Sequence, residues 1–249
     1  MTQRIFVLLF LIIPWGIFAQ APPPEKEIHN REQLWLGYFN QTRLSKRWGL
    51  WLDVHYRRTD NFIERPFQIL VRPAVTFFIK DNLRANAGYA FVNHFPAEGL
   101  ETSRPENRFW QQIWWNQKYS SFSTLQWLRF EQRFVRKIAN DELQDGYNFN
   151  YRLRYNISFF IPLKGKELTA HIPFAAIIDE VFLNFGERIV YNTFDQNRFF
   201  LGVGYMFTSH LNAQLGYMHV FQQESSGTSY WSTHAIRFFV FHTLDFRKE

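Results

Sequence analysis

The chain has 249 residues, a formal net charge of +6, no cysteine, and aromatic side chains at 20% of positions (29 Phe, 11 Tyr and 9 Trp). The lack of cysteine excludes a disulfide framework, thiolate metal sites and thiol catalysis. The modest charge gives no ground for a nucleic-acid partner. Such aromatic content beside a mean hydropathy of only −0.31 fits a chain in which alternate residues are apolar, as in a membrane β-barrel.

Arg4 precedes an apolar run from Ile5 to Phe18, and Ala19-Gln20-Ala21 follows it. A positive start, a short apolar core and a small-residue exit predict a cleaved signal peptide over 1–21, ending after Ala19 or Ala21. Residues 22–31 open with Pro22-Pro23-Pro24 and read as an extended leader or an extra strand. The barrel is then expected over 32–249. Strand-like segments fall at 33–44, 49–58, 67–79, 83–95, 108–119, 122–136, 147–161, 168–184, 197–207, 211–222 and 231–246. No helical period of useful length interrupts them.

Short turns are expected at 45–48, 80–82, 120–121, 163–167 and 208–210, and longer polar loops at 59–66, 96–107, 137–146, 185–196 and 223–230. Short connections at one end and long ones at the other are the habit of outer-membrane barrels. A Greek-key sandwich does not sort them so. The segments are also long enough to cross a bilayer when tilted.

The clearest alternation lies in YNFNYRLRYNISF, residues 147–159. Tyr147, Phe149, Tyr151, Leu153, Tyr155, Ile157 and Phe159 form one face; Asn148, Asn150, Arg152, Arg154, Asn156 and Ser158 form the other. The aromatic face is expected outward into lipid and the Asn–Arg face inward. The predicted fold is all-β, a transmembrane antiparallel up-and-down barrel. Eleven segments do not close such a barrel, which needs an even number, so twelve strands are expected, with ten as the alternative. Pro73 costs its strand a ladder bond, and a local bulge is expected there.

The same parity sends an arginine-rich set inward: Arg72, Arg84, Arg108, Arg129, Glu131, Arg133, Arg152, Arg154, Glu180, Arg198 and Arg237. Asp53, His55 and Arg57 share an inward face of "WLDVHYRR". Arginine's planar, permanently charged fork suits bidentate pairing with carboxylates in a narrow space. One reading is a lumen plugged by these pairs. The other is a narrow, anion-favouring pore or solute channel, because arginine outnumbers glutamate.

No catalytic constellation stands out. His171, His210, His219, His234 and His242 lie in no motif that demands a partner, and Asp179 and Glu180 point to opposite faces of their strand. No metal, cofactor or enzymatic role is expected, a lipid A or phospholipid modifying enzyme being the remaining enzymatic alternative. Trp35, Trp48, Trp51, Trp110, Trp114, Trp115 and Trp127 are expected in interfacial belts.

In order, "GYAFVNHF" (88–95), "RPENRFWQQIWW" (104–115), "LRFEQRF" (128–134), "YRLRYNISFFIPL" (151–163), "DEVFLNFG" (179–186), "FDQNRFFLGVGYMF" (194–207) and "LGYMHVFQ" (215–222) resemble a bacterial outer-membrane β-barrel family known as domain of unknown function 2490. The resemblance runs from about residue 30 to 246. Its most specific pieces are Glu106 with Arg108, Glu131 with Arg133, Arg152 with Arg154, Asp179 with Glu180, and Asn197 with Arg198. It implies a barrel in the bacterial outer membrane and no particular activity. The expected partners are outer-membrane lipid and lipopolysaccharide, and the barrel-insertion machinery through the last strand. Arg247-Lys248-Glu249 trail that strand's aromatic end. A monomer is expected.

Overall fold

The computed structural model describes residues 25–247. The expected signal peptide and the Pro22-Pro23-Pro24 part of the leader lie outside the described residues. Eleven strands follow one another: β1 (Glu27–Arg43), β2 (Trp48–Thr59), β3 (Arg65–Lys80), β4 (Leu83–His94), β5 (Arg104–Lys118), β6 (Ser123–Ala139), β7 (Glu142–Pro162), β8 (Pro173–Phe185), β9 (Phe194–Met206), β10 (Leu211–Gln223) and β11 (Ser229–Asp245). Each matches one segment read from the sequence. Residues 27–31 lengthen β1 rather than supply a twelfth strand.

Successive strands pair antiparallel, and β1 closes the barrel on β11 in parallel, from Glu27↔Ser229 to Arg43↔Asp245. The all-β closed barrel is as expected; the count is eleven, not twelve or ten, and one pair is not antiparallel. An even count is required only when every pair is antiparallel. In a meander of odd number the first and last strands run the same way, so the seam must be parallel. Parallel pairing is slightly weaker per residue, but this seam uses all 17 residues of both strands and leaves no open edge.

Two connections depart from the expected sorting by length. Residues 137–146 are not a loop. β6 and β7 continue to a two-residue turn at Asn140-Asp141, with φ of 51° and 58°. Positive φ at both central residues is what a type I′ hairpin turn needs, and Asn and Asp tolerate it best among residues with a side chain. Conversely, 163–172 is no short turn: β8 starts only at Pro173, and Leu168 folds in against the apolar interior. Nor does Pro73 sit at a bulge. It pairs with Leu52, and toward β4 the ladder lapses and resumes at Ala74↔Gly88 in the register of Val71↔Phe91.

The Asn140-Asp141 turn also clasps the 95–103 connection. The backbone N–H groups of Glu101 and Thr102 donate to the Asp141 carboxylate at 2.8 and 3.0 Å. The Glu101 amide, then that of Thr102, holds the Asp141 carboxyl below its ordinary range.

Side chains are distributed inside out. Leu50, Val75, Phe109, Ile113, Leu201 and Leu215 are exposed on the outer face, whereas Asp53, Glu106, Glu131, Arg152 and Arg154 are buried within. β7 shows why: from Asn150 to Ser158 its even residues are buried and its odd ones are not, because successive side chains of a strand leave opposite faces. Toward the end formed by 163–172 and 207–210, the interior is apolar, built on Phe174, Phe200, Met206 and Phe239, with Phe39, Phe160, Leu168 and Phe241 against them. Gly202, Gly204 and Gly216 face these rings. A Cβ at Gly204 would run into the Phe174 ring, and one at Gly202 or Gly216 into that of Phe200.

The seam predicts a crosslink. Leu36 and Phe238 pair across it on the outer face, within disulfide reach for neighbouring strands. In this cysteine-free chain, Leu36→Cys with Phe238→Cys is expected to give a folded, disulfide-closed species by non-reducing electrophoresis; a twelfth strand between them would prevent it. The Asp141 clasp predicts a titration. A depressed folded pKa means its contribution is complete above the unfolded value of about 3.9 and is lost as pH falls through the folded value. The Glu101 amide resonance is expected to shift with a midpoint below about 3.9; a midpoint at or above it would contradict the clasp.

Candidate functional site

Register across neighbouring strands brings the inward charges together. Glu131 of β6 pairs with Arg152 of β7 and Trp110 of β5; Arg129 pairs with Arg154 and Gln112; Arg108 pairs with Arg133. Residues spaced by two on one strand thus meet residues spaced by two on the next; two of the pairs set arginine opposite arginine, and the carboxylates beside them offset this.

Glu131, 1% exposed, is its centre. Arg152 donates from Nε and Nη2 to Oε2 at 2.9 and 2.6 Å, and Arg154 from Nη1 to Oε1 at 2.7 Å. Guanidinium nitrogens of Arg72 and Arg129 stand 3.9 and 4.0 Å from Oε1. The chain of pairs extends both ways. Arg152 Nη1 donates to Asp195 at 2.9 Å, and Arg154 donates from Nε and Nη2 to Glu180 at 2.8 and 2.5 Å.

Two further carboxylates hold their own groups. Glu106 receives Arg108 at 2.6 and 2.9 Å and Arg133 at 2.6 and 3.2 Å, with His94 Nε2 3.2 Å away. Asp53 receives Arg72 Nε at 2.9 Å and Trp51 Nε1 at 2.6 Å, and His55 Nε2 lies 3.1 Å from it.

Among the described residues five buried carboxylates (Asp53, Glu106, Glu131, Glu180 and Asp195) face ten inward arginines, with Arg31, Arg104 and Glu224 also on the cavity lining, and the lumen carries excess positive charge. Among the described residues no carboxylate lies within ion-pairing distance of Arg57, Arg84, Arg198 or Arg237. Aromatic rings take the place of carboxylates. Arg57 sits 3.5 Å over Trp35, Arg84 3.4 Å over Trp114, and Arg237 3.8 Å over Phe200; the ring quadrupole attracts a cation placed on its face. Nε of Arg57, Arg84 and Arg237 has no hydrogen-bond partner among the described residues. A cavity of about 390 Å³ runs past Arg57, Arg198 and Arg237 into the apolar end at Phe39, Phe200 and Phe239.

All eleven charged residues read from parity face this interior. Ion pairs join Arg72, Arg108, Arg129, Arg133, Arg152 and Arg154 to interior carboxylates, Glu131 and Glu180 among them; Arg84, Arg198 and Arg237 stand outside those pairs. Asp179 points outward and accepts from Asn197 Nδ2 at 2.8 Å, as its parity requires. Glu106, Asp53 and Arg57 belong to the interior set as well, on the same alternation. Asp195 was hidden from it, because the register shifts between Phe182 and Leu183 and leaves Asp195 and Gln196 both buried.

The tryptophans need correction. Trp35, Trp51, Trp110, Trp114 and Trp127 are inside, stacked with arginine or bonded to Asp53. Only Trp48 and Trp115 of the seven take outward positions. Arg108, Trp110, Gln112 and Trp114 already shared one parity in the sequence, which was the available signal.

Among the described residues no three His, Asp or Glu side chains gather as a metal site. A family model described as "Protein of unknown function (DUF2490)" matches residues 32–231. An uncharacterized protein of Methylorubrum extorquens is 30% identical over 167 residues, 64% of this chain and 63% of that protein. The chain thus spans less than two thirds of that relative's length. No solved structure matches.

Breaking a buried ion pair strands its partners, whereas removing an unpaired buried charge strands nothing. Glu131→Gln is expected to destabilise the fold by about 3–5 kcal/mol, read from urea unfolding by tryptophan fluorescence. Arg57→Gln is expected to leave stability unchanged or raised. Equal losses from both would refute the division into paired and unpaired arginines.

Proposed function

The chain belongs to the DUF2490 family, and we propose that it is an outer-membrane β-barrel whose lumen is closed to through-flow. The observation that carries the membrane reading is the inside-out distribution: Leu, Val, Ile, Phe and Tyr line the exposed outer face while the charged groups are buried within. Water would be a poor solvent for that face, and lipid a good one. An arginine turned to the bilayer midplane costs about 2–4 kcal/mol, and the interior arginines avoid it. The outward carboxylate Asp179 has the Asn197 amide as its partner. The tryptophans Trp48 and Trp115 and the tyrosines of the outer face suit contact with headgroups. Export by the segment 1–21 and insertion through β11, after which Phe246 donates its backbone N–H to the Arg43 carbonyl, belong to the same proposal.

Closure rests on the apolar end. The Glu131, Glu106 and Asp53 groups narrow the middle of the lumen, and one cavity runs past them. Beyond them Phe39, Phe160, Phe174 and Leu168 fill one end. A hydrolase reading lacks a comparable observation. His219 Nε2 lies 3.0 Å from Ser232 Oγ on the outer face, and among the described residues no acid is bonded to that imidazole.

The reading is tested in two steps. Expressed with its leader, the protein is expected in the outer-membrane fraction; recovery in the soluble periplasm would overturn the membrane assignment. Refolded into a planar bilayer under a salt gradient, it is expected to pass no steady current. Steady anion-selective current, reduced in Arg152→Gln, would replace the closed lumen by a narrow pore.

A further inference from the structure

We propose that the barrel interior binds an amphiphilic organic anion, with a carboxylate or phosphate head on Arg57 and Arg198 and an apolar body against Phe200 and Phe239. The inference rests on interior geometry alone and stands whichever solvent meets the outer face.

Two guanidinium groups share one ring: Arg57 at 3.5 Å and Arg198 at 5.0 Å from the centroid of Trp35. Trp35 is fixed there by its own hydrogen bond, Nε1 donating to Gln33 at 2.6 Å. Among the described residues neither arginine has a carboxylate within ion-pairing distance, and Arg57, 8% exposed, leaves its Nε without a partner. Like charges held close together in a buried space repel strongly. The nearby carboxylates relieve this only in part: Glu180, the cross-strand neighbour of Arg198, is bonded to Arg154, and Asp195 to Arg152. A bound anion would complete the neutralisation that the ring of Trp35 and these carboxylates begin. Both arginines line one cavity; Arg198 Nε donates to Gln196 at 3.1 Å, and the remaining N–H groups of the two forks suit the oxygens of a carboxylate or phosphate, which accept two N–H donors at once.

The apolar half of the ligand follows from what adjoins the pair. In the same cavity, Arg237 lies 3.8 Å over Phe200 and 4.2 Å over Phe239. Its Nη2 donates to Gln214 at 2.9 Å, and its Nε is unpartnered among the described residues. Phe239 then packs on Phe39 with centroids 5.2 Å apart. The cavity volume, about 390 Å³, is in the range of small-molecule sites, which join a mostly apolar lining to a few placed polar groups. An inorganic anion would use the arginines and leave the phenylalanine wall uncovered. A neutral or cationic amphiphile would meet unrelieved positive charge.

The test is isothermal titration of the full chain, refolded in a non-ionic detergent, with octanoate, octyl phosphate, inorganic phosphate and octyltrimethylammonium. Uptake into micelles is common to every variant and cancels in the comparison. Saturable binding of octanoate or octyl phosphate is expected, and whichever of the two binds more tightly identifies the head group. Arg57→Gln with Arg198→Gln is expected to weaken it at least tenfold, Arg57→Lys less so, and Arg84→Gln, outside the cavity lining, not at all. Inorganic phosphate is expected to bind at least tenfold more weakly. Absence of saturable binding by either octyl anion, equal binding of octyltrimethylammonium, or unchanged affinity in the double variant with wild-type circular dichroism would overturn the site. Equal affinity for inorganic phosphate would overturn its apolar half.

Discussion

Glu131 stands where four guanidinium groups converge, and the interior is organised around that one carboxylate. Arg152 and Arg154 bond it from β7, Arg129 approaches along its own strand, and Arg72 reaches it from β3 across the lumen. Burying a charge is costly unless it is paired and hydrogen-bonded. Once strand parity has committed these arginines to the inside, a carboxylate at this height is a condition of closing the barrel. Its absence would leave guanidinium groups facing one another across a narrow space.

Parity explains how much of this was legible in the sequence. The stretch 147–159 alternates without error, and β7 buries the half that carries Arg152 and Arg154. The same rule gives Arg72, Arg84, Arg108, Arg129 and Arg237 inward positions from their neighbours alone. It failed where the chain breaks its period or where closure is decided elsewhere. Asp195 read as part of the polar loop 185–196; it lies instead in β9 at a register shift, where one added residue leaves it and Gln196 both buried. The Asn140-Asp141 turn read as part of a polar loop, because the polar residues flanking it hid a hairpin whose signal was only two residues long. The parallel seam follows from the odd strand number: the eleven segments were legible, and the even count of all-antiparallel barrels does not apply to a barrel with one parallel pair.

The tryptophans failed for a different reason. Their amphipathic rings suit a membrane interface, and that general habit was allowed to outweigh parity. In this barrel Trp35, Trp110, Trp114 and Trp127 face guanidinium groups instead. An aromatic face is the one apolar surface that attracts a cation, so these rings fill the lumen while easing the presence of arginines that lack a carboxylate. Position on the strand was the stronger signal, and it was available.

The two populations of interior arginine answer different demands. Those bonded to Asp53, Glu106, Glu131, Glu180 and Asp195 balance charge for charge and cross-link strands, and a plug needs nothing more. Arg57, Arg198 and Arg237 add nothing to that balance and crowd positive charge against the apolar end of the lumen. A barrel under selection for closure alone would replace them with apolar residues of similar volume, since such replacements of buried charge are often neutral or stabilising. Their placement beside Phe200 and Phe239, along one continuous cavity, is accounted for if closure at the far end makes that cavity a one-ended receptacle for an anion with an apolar body.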